Sequence, residues 1–424
     1  MKGLKLGLVV LTATLLALGL SGMAYAFHSG GVAECGGCHS MHTPKVGGSS
    51  LLLGTDASST CLNCHMHSGD TGPSSYHILT ADVDAAARGP LQRTPGGDFG
   101  WTRRTYTYTL RGTATTELGQ THGHNIVAAD FGMTADTDNP TAPGNASFQS
   151  SNLQCTSCHN PHGKYRRLSD GTISTTGAPI IGSGSYDTSL VPASGQAVGV
   201  YRLLQGSGAV VSGVTFNGVP AAVAPATYNR TEASTQTRVA YGSLISGNHE
   251  TWGVWCATCH TSMHTNSGAI VHPVDQTISS AVADNYNQYR GSGNMTGTNT
   301  NSYLSLVPYI EGVSSTYATL ASHAKIDNSQ LGGPTGLSSQ VSCLSCHRAH
   351  ASGFKDMLRW NNEGEFIIVN GSWPGTDSST SAAQNVSFSQ GRTYLEMKGA
   401  YYEYPEGTFA TYQRVLCNKC HAQD

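Results

Sequence analysis

The sequence predicts a mostly irregular, coil-rich chain with few short helices and minimal strand, whose interior comes from something other than a conventional apolar core. Three observations predict this. The 424 residues include 51 glycines and 16 prolines but only 12% charged and 8% aromatic residues, a composition poor in material for long amphipathic elements. All twelve cysteines fall in one recurring unit, Cys-x-x-Cys-His: Cys35/Cys38/His39, Cys61/Cys64/His65, Cys155/Cys158/His159, Cys256/Cys259/His260, Cys343/Cys346/His347 and Cys417/Cys420/His421. After the closely spaced first two units, the motif histidines stand 74 to 101 residues apart, separated by segments rich in Gly, Ser and Thr.

Chance would place only about 0.01 such units in a chain of this composition, and the pattern is that of c-type haem attachment. Two thiols three residues apart on one helical turn suit thioether bonds to the two vinyl groups of one haem, and the adjacent histidine can then meet the iron as proximal ligand. Zinc would need two units close together, yet most lie far apart. A redox dithiol does not require a histidine after every pair. The fold class expected is therefore a multihaem cytochrome c with six covalently attached c-type haems, in which the haem chain forms the core. Long loops without regular structure normally count against an assignment. Here each haem supplies a large rigid apolar surface and two covalent staples. Short helices are expected at the motifs and over Ile278–Tyr289, and a strand over Thr105–Leu110.

Residues 1–26 read as a cleaved signal peptide: Lys2 and Lys5 precede the apolar run Leu6–Leu20, and Ala24-Tyr25-Ala26 follows. The run is shorter than the ~20 residues a membrane span needs. Residues 27–424 are expected to be a single elongated unit, secreted across the inner membrane and without a membrane span. The net charge of −3 becomes more negative once Lys2 and Lys5 leave and haem propionates are added, which excludes a nucleic-acid binder. Arg103, Arg104, Lys164, Arg166 and Arg167 are candidate propionate partners. The triplets at Asn145, Asn229, Asn294 and Asn385, the Gly291-x-Gly293 pair and Asp136-x-Asp138 are too sparse to assign glycosylation, a dinucleotide or calcium.

Six irons need six further axial ligands or open positions. The distal candidates are His28, His42, His67, His77, His124, His162, His264, His272, His323 and His350, with His122 and His249 less suited. This surplus favours bis-histidine ligation. His42, His67, His162, His264 and His350 trail a motif by two to four residues. A side chain at that offset lies on the proximal side of its own haem, so it can bind only a different haem, which must sit close by. Met41, Met66 and Met263, beside the motifs, are expected to pack on porphyrin faces.

Phe27–Cys35 (FHSGGVAEC), Gly69–Ile78 (GDTGPSSYHI), Thr94–Trp101 (TPGGDFGW), Cys158–Arg167 (CHNPHGKYRR), Val219–Gly242, Cys343–Phe354 (CLSCHRAHASGF) and Tyr412–Asp424 carry a specific resemblance that runs from end to end. In these strings the chain resembles the OmcS-type hexahaem outer-surface c-type cytochromes of metal-reducing bacteria. The resemblance implies bis-histidine haems stacked in a continuous chain and little regular structure. It implies polymerisation into a conductive extracellular filament, with the chain itself as partner and His42 crossing to a haem of the adjacent subunit. Other redox cytochromes and extracellular acceptors are the expected electron partners, and no catalytic residue is expected. His122, His249 and the longer segment Ser243–Val254 depart from the family pattern and are expected in surface loops. Two alternatives are a monomeric periplasmic shuttle and a reductase with one open haem site, although the lysine-ligated Cys-x-x-Cys-Lys motif is absent.

Overall fold

A computed structural model of the protein describes residues 35–45, 51–67, 76–82, 88–110, 112–226, 237–244, 247–263, 272–312, 316–325, 332–377 and 387–421. The expected leader, His28 and His264 lie outside the described residues, as does the side chain of His67.

Short elements are joined by long stretches of turn and coil. Among the described residues the α-helices are α1 (Ala57–His65), α2 (Cys155–Cys158), α3 (Trp252–Ala257), α4 (Ser280–Gln288), α5 (Tyr317–His323), α6 (Tyr394–Ala400) and α7 (Asn418–His421). Four of these carry haem motifs, and side chains hold the starts of three of them. Asp56 accepts from Ser59 N–H at the head of α1, and Thr251 accepts from Val254 N–H at the head of α3. Gln154 and Ser157 form a reciprocal box around α2. The backbone turns extended at Met66 after α1 and at His159 after α2. A motif thus spans roughly one turn and then stops.

The sheets are small. Strands β1 (Met66–His67) and β2 (Leu79–Thr80) pair in parallel, and β3 (Tyr106–Leu110) and β4 (Thr113–Glu117) form a hairpin in register from Tyr106↔Glu117 to Leu110↔Thr113. Alternation buries Tyr106 and Tyr108 on one face of β3, as the Thr-Tyr-Thr-Tyr pattern predicts. The expected strand and the expected helix near Ile278 are both present, the latter as α4 with Ser279 as its cap. Among the described residues no helix is long and apolar enough to cross a membrane.

One expectation needs correction. The low aromatic content argued against conventional apolar packing, yet a cluster of buried side chains spans Trp101, Tyr303, Phe354, Trp360, Trp373 and Tyr401, and a second surrounds Tyr165, Phe216 and Trp252. Few aromatics suffice because they are gathered from distant segments: Trp373 stacks on Tyr401 with ring centroids 4.4 Å apart. Both clusters flank a long internal groove.

Candidate haem-binding groove

A continuous cavity of about 2380 Å³ runs through the molecule, and every motif cysteine except Cys35 lines it. That volume is several times the ~300–1,000 Å³ of a pocket for one small ligand. The motifs follow one another along it in chain order. Cys38 lies in electrostatic reach of Cys61 and Cys64, Cys158 of Cys259, and Cys346 of Cys417 and Cys420. Cys61 hydrogen-bonds Cys155, and Cys256 hydrogen-bonds Cys343. Burial pushes the Cys158 and Cys346 thiols up to about 12, so they stay protonated against apolar walls.

Several histidine rings are oriented by backbone carbonyls. In four motifs Nδ1 faces a backbone carbonyl from a distant loop: His65 on Tyr76 at 2.8 Å, His159 on Arg202 at 2.7 Å, His260 on Pro143 at 3.0 Å and His347 on Asp356 at 2.7 Å. His124 does the same on Ala349 at 2.7 Å. A carbonyl on Nδ1 fixes the tautomer and leaves Nε2 as the lone-pair donor, the arrangement found behind metal-bound imidazoles. Burial, then the neighbouring His260, holds His124 down to about 4; burial, then His159, holds His350 down to about 3. Both imidazoles are neutral at physiological pH, as ligation requires.

Rings also meet in pairs. Centroids are 6.2 Å apart for His39–His162, 6.3 Å for His159–His350, 6.0 Å for His124–His260 and 6.1 Å for His272–His421. An iron bound on both faces through bonds of about 2.0 Å would hold two imidazole centroids about 6.4 Å apart, because each centroid lies roughly 1.2 Å behind its nitrogen. Each pair joins one motif histidine to one distal candidate, so the residues present fit haem. The trailing histidines His162 and His350 meet the histidines of the first and third motifs, not those of their own. His77 is buried along the groove and acts electrostatically on His65. Among the described residues His347 has no paired imidazole, and His42 is exposed.

Other candidates are placed elsewhere. His323 does not line the groove; its Nδ1 meets Glu311 Oε2 at 3.0 Å, and Glu311 also pairs with Arg238. The expected propionate partners are likewise off the groove. Arg166 donates to the carbonyls of Gly177 and Ala178, Arg167 lies 4.0 Å over the Tyr317 ring, and Arg103 donates to the Phe131 carbonyl. Arg202 and Arg348 line it instead. Met66 and Met263 reach the cavity wall, whereas Met41 is 78% exposed.

His122 and His249 are not surface residues. His122 is fully buried, with Nδ1 on the Trp101 carbonyl and Nε2 on Glu117, which Arg392 also engages. His249 is buried between the carbonyls of Gly171 and Val219. In both cases a polar ring is tolerated inside because acceptors from distant segments satisfy it, which local sequence does not reveal. Phe99 was also not marked by the sequence: its ring stacks on His350 at 4.7 Å. Its one signal is its place in the TPGGDFGW string.

No protein-family model matches the chain. It is 50% identical to the C-type cytochrome OmcS of Geobacter sulfurreducens over 449 residues, covering all of both chains. Its structure is similar to that of the OmcS nanowires of Geobacter sulfurreducens determined by cryo-EM, with a TM-score of 0.83 and 48% identity over 94% of this chain and all of that one. A structure of the Outer Membrane Cytochrome S filament gives a TM-score of 0.82 at 49% identity with the same coverage. A groove lined by haem-attachment motifs, imidazoles paired at iron-spanning distance and half of all residues in common place this chain in the OmcS family of C-type cytochromes.

Proposed function

We propose that the chain is an electron-transfer protein carrying six haems, each bound by imidazole on both faces, and that copies join head to tail into an extracellular filament. The observation that carries this reading is the set of four imidazole pairs with centroids 6.0–6.3 Å apart, three of them lining one groove. When bound, a row of such haems supplies one-electron carriers close enough to exchange electrons along it. The cysteines anchor each group, and His39, His65, His159, His260, His347 and His421 take one axial position. His162, His350, His124 and His272 take the opposite position at the first, third, fourth and sixth groups. An imidazole on each face at every described pair holds the irons six-coordinate, which favours conduction over substrate binding.

His42 is exposed beside the first motif, and His347 lacks a paired ring among the described residues. We assign His42 to the iron held by His347 of the adjacent subunit. A ligand given in trans makes the contact head-to-tail, and such contacts extend into filaments when they do not close. The filaments formed by the OmcS relatives support this assembly. The electron acceptors would be extracellular, metal oxides among them, with other redox cytochromes as partners.

Three measurements test this. A pyridine haemochrome assay should return six haems per chain, and carbon monoxide should leave the reduced filament spectrum unchanged. His42→Ala should keep six haems, abolish filaments in electron micrographs and expose one carbon-monoxide-binding iron per chain. Filaments that persist in His42→Ala with an unaltered spectrum would refute the trans ligand.

A further inference from the structure

We infer that the Gly96–Phe99 turn is a positioning element for one axial ligand: it holds the His350 imidazole crossed over that of His159 and so gives the third iron a ligand field unlike that of the first. This inference rests on the reading that His159 and His350 bind one iron.

Several contacts converge on the His350 ring. Phe99 stacks on it with centroids 4.7 Å apart and planes 21° from parallel. The His350 backbone N–H donates to the Gly96 carbonyl at 2.6 Å, and the Ala351 N–H donates to the same oxygen at 3.2 Å. A Cβ on Gly96 would sit 2.8 Å from Nδ1 and 3.0 Å from both Cγ and Cε1, so it would fall on the ring itself. Gly97 adopts φ +88°, and a Cβ there would lie 1.7 Å from the Ala351 carbonyl oxygen. Both glycines are therefore required for this close approach.

The turn is itself rigid. Asp98 is fully buried, and its carboxylate accepts from Thr80 N–H, Thr80 Oγ1, Gln92 N–H and Gly100 N–H at 2.5–3.0 Å. The Phe99 N–H donates to the Ile78 carbonyl at 2.9 Å. Phe99 is buried among Leu62, Leu79 and Ile126. On the other side, the His159 ring is fixed by the Arg202 carbonyl. Neither ring of the pair can rotate freely about its bond to the iron.

The resulting angle differs between sites. The His159 and His350 planes cross at 63° and those of His272 and His421 at 62°, whereas His39 and His162 are within 13° of parallel and His124 and His260 within 34°. Crossed axial imidazoles leave the iron orbitals nearly degenerate and give a highly anisotropic low-spin EPR signal in the oxidised state. Near-parallel planes give an ordinary rhombic one. Ligand orientation and the groups behind the ligand also tune haem potential.

The test uses the haem-loaded filament. Phe99→Leu removes the stack, and its spin-integrated EPR spectrum should lose about one iron per chain of the highly anisotropic component, with one midpoint potential displaced. Phe99→Tyr keeps the stack and should retain both. Gly96→Ala drives a methyl onto the ring and should yield one high-spin, carbon-monoxide-binding iron. His350→Ala separates the two levels of the argument. If it leaves all six irons low-spin, the underlying ligand assignment fails. If it frees one iron while Phe99→Leu and Gly96→Ala leave the spectrum and potentials unchanged, the positioning role alone is overturned.

Discussion

Glu117 shows how this chain keeps charge inside a structure with little regular packing. It lies at the end of the β3–β4 hairpin and bridges two side chains, His122 through Nε2 at 2.5 Å and the Arg392 guanidinium. Burial opposes its ionisation, but the His122 hydrogen bond and the Arg392 charge outweigh that and hold the carboxyl down to about 2 against an ordinary 4.5. A depressed carboxyl contributes stability that is present above its unfolded value and lost as pH falls through its folded value. The shift corresponds to about 3 kcal/mol. Glu117→Gln is therefore expected to lower the denaturant midpoint at pH 7, and the gap from wild type should close between pH 4.5 and 2. A gap constant across that range would refute the assignment. Composition showed a histidine-rich chain, yet it could not tell ligand from structural histidine: His122 and His124 are two residues apart, and only their three-dimensional neighbours separate them.

At the scale of elements, short helices survive because each is pinned by contacts from far away in sequence. The first turn of α3 and its cap donate hydrogen bonds to Asp275, whose carboxylate accepts from Gly253 N–H at 3.0 Å, Val254 N–H at 3.1 Å and Thr251 Oγ1 at 2.8 Å. Isolated helices of this length are marginal in water, so the carboxylate is expected to decide whether the fourth motif is preformed. Asp275→Ala should cost about 1–2 kcal/mol and should speed hydrogen exchange at the Gly253 and Val254 amides, with little change at α6. The capping box of α6, where Thr393 and Glu396 bond each other reciprocally, makes a matching test, since Thr393→Ala should destabilise by about 1 kcal/mol. The strand Tyr106–Leu110 and helix α4 were legible because alternation and a Ser cap are local signals. The carbonyls of Tyr76, Pro143, Arg202 and Asp356 that orient the motif histidines were not, because any residue type can offer a backbone oxygen.

For the whole molecule, haem attached along one groove would couple cofactor attachment to folding, as binding does for structural metals. Serine replacement of both cysteines in a central motif, Cys155 and Cys158, is expected to lower the unfolding temperature more than the same change at Cys35 and Cys38. The central pair borders neighbours on both sides, Cys61 and Cys259, whereas Cys35 is the one motif cysteine that does not line the cavity. Equal losses in differential scanning calorimetry would argue against a cooperative row. By itself the sequence determined the six Cys-x-x-Cys-His motifs, the coil-rich character and the expectation that trailing histidines serve another iron, because covalent chemistry and short-range geometry act over a few residues. Only the tertiary structure decided which imidazoles face each other, at what angle, and which arginines reach the groove. Those pairings join segments such as His124 and His260 that lie more than a hundred residues apart, and they are set by packing against distant backbone, which leaves no mark on the local pattern.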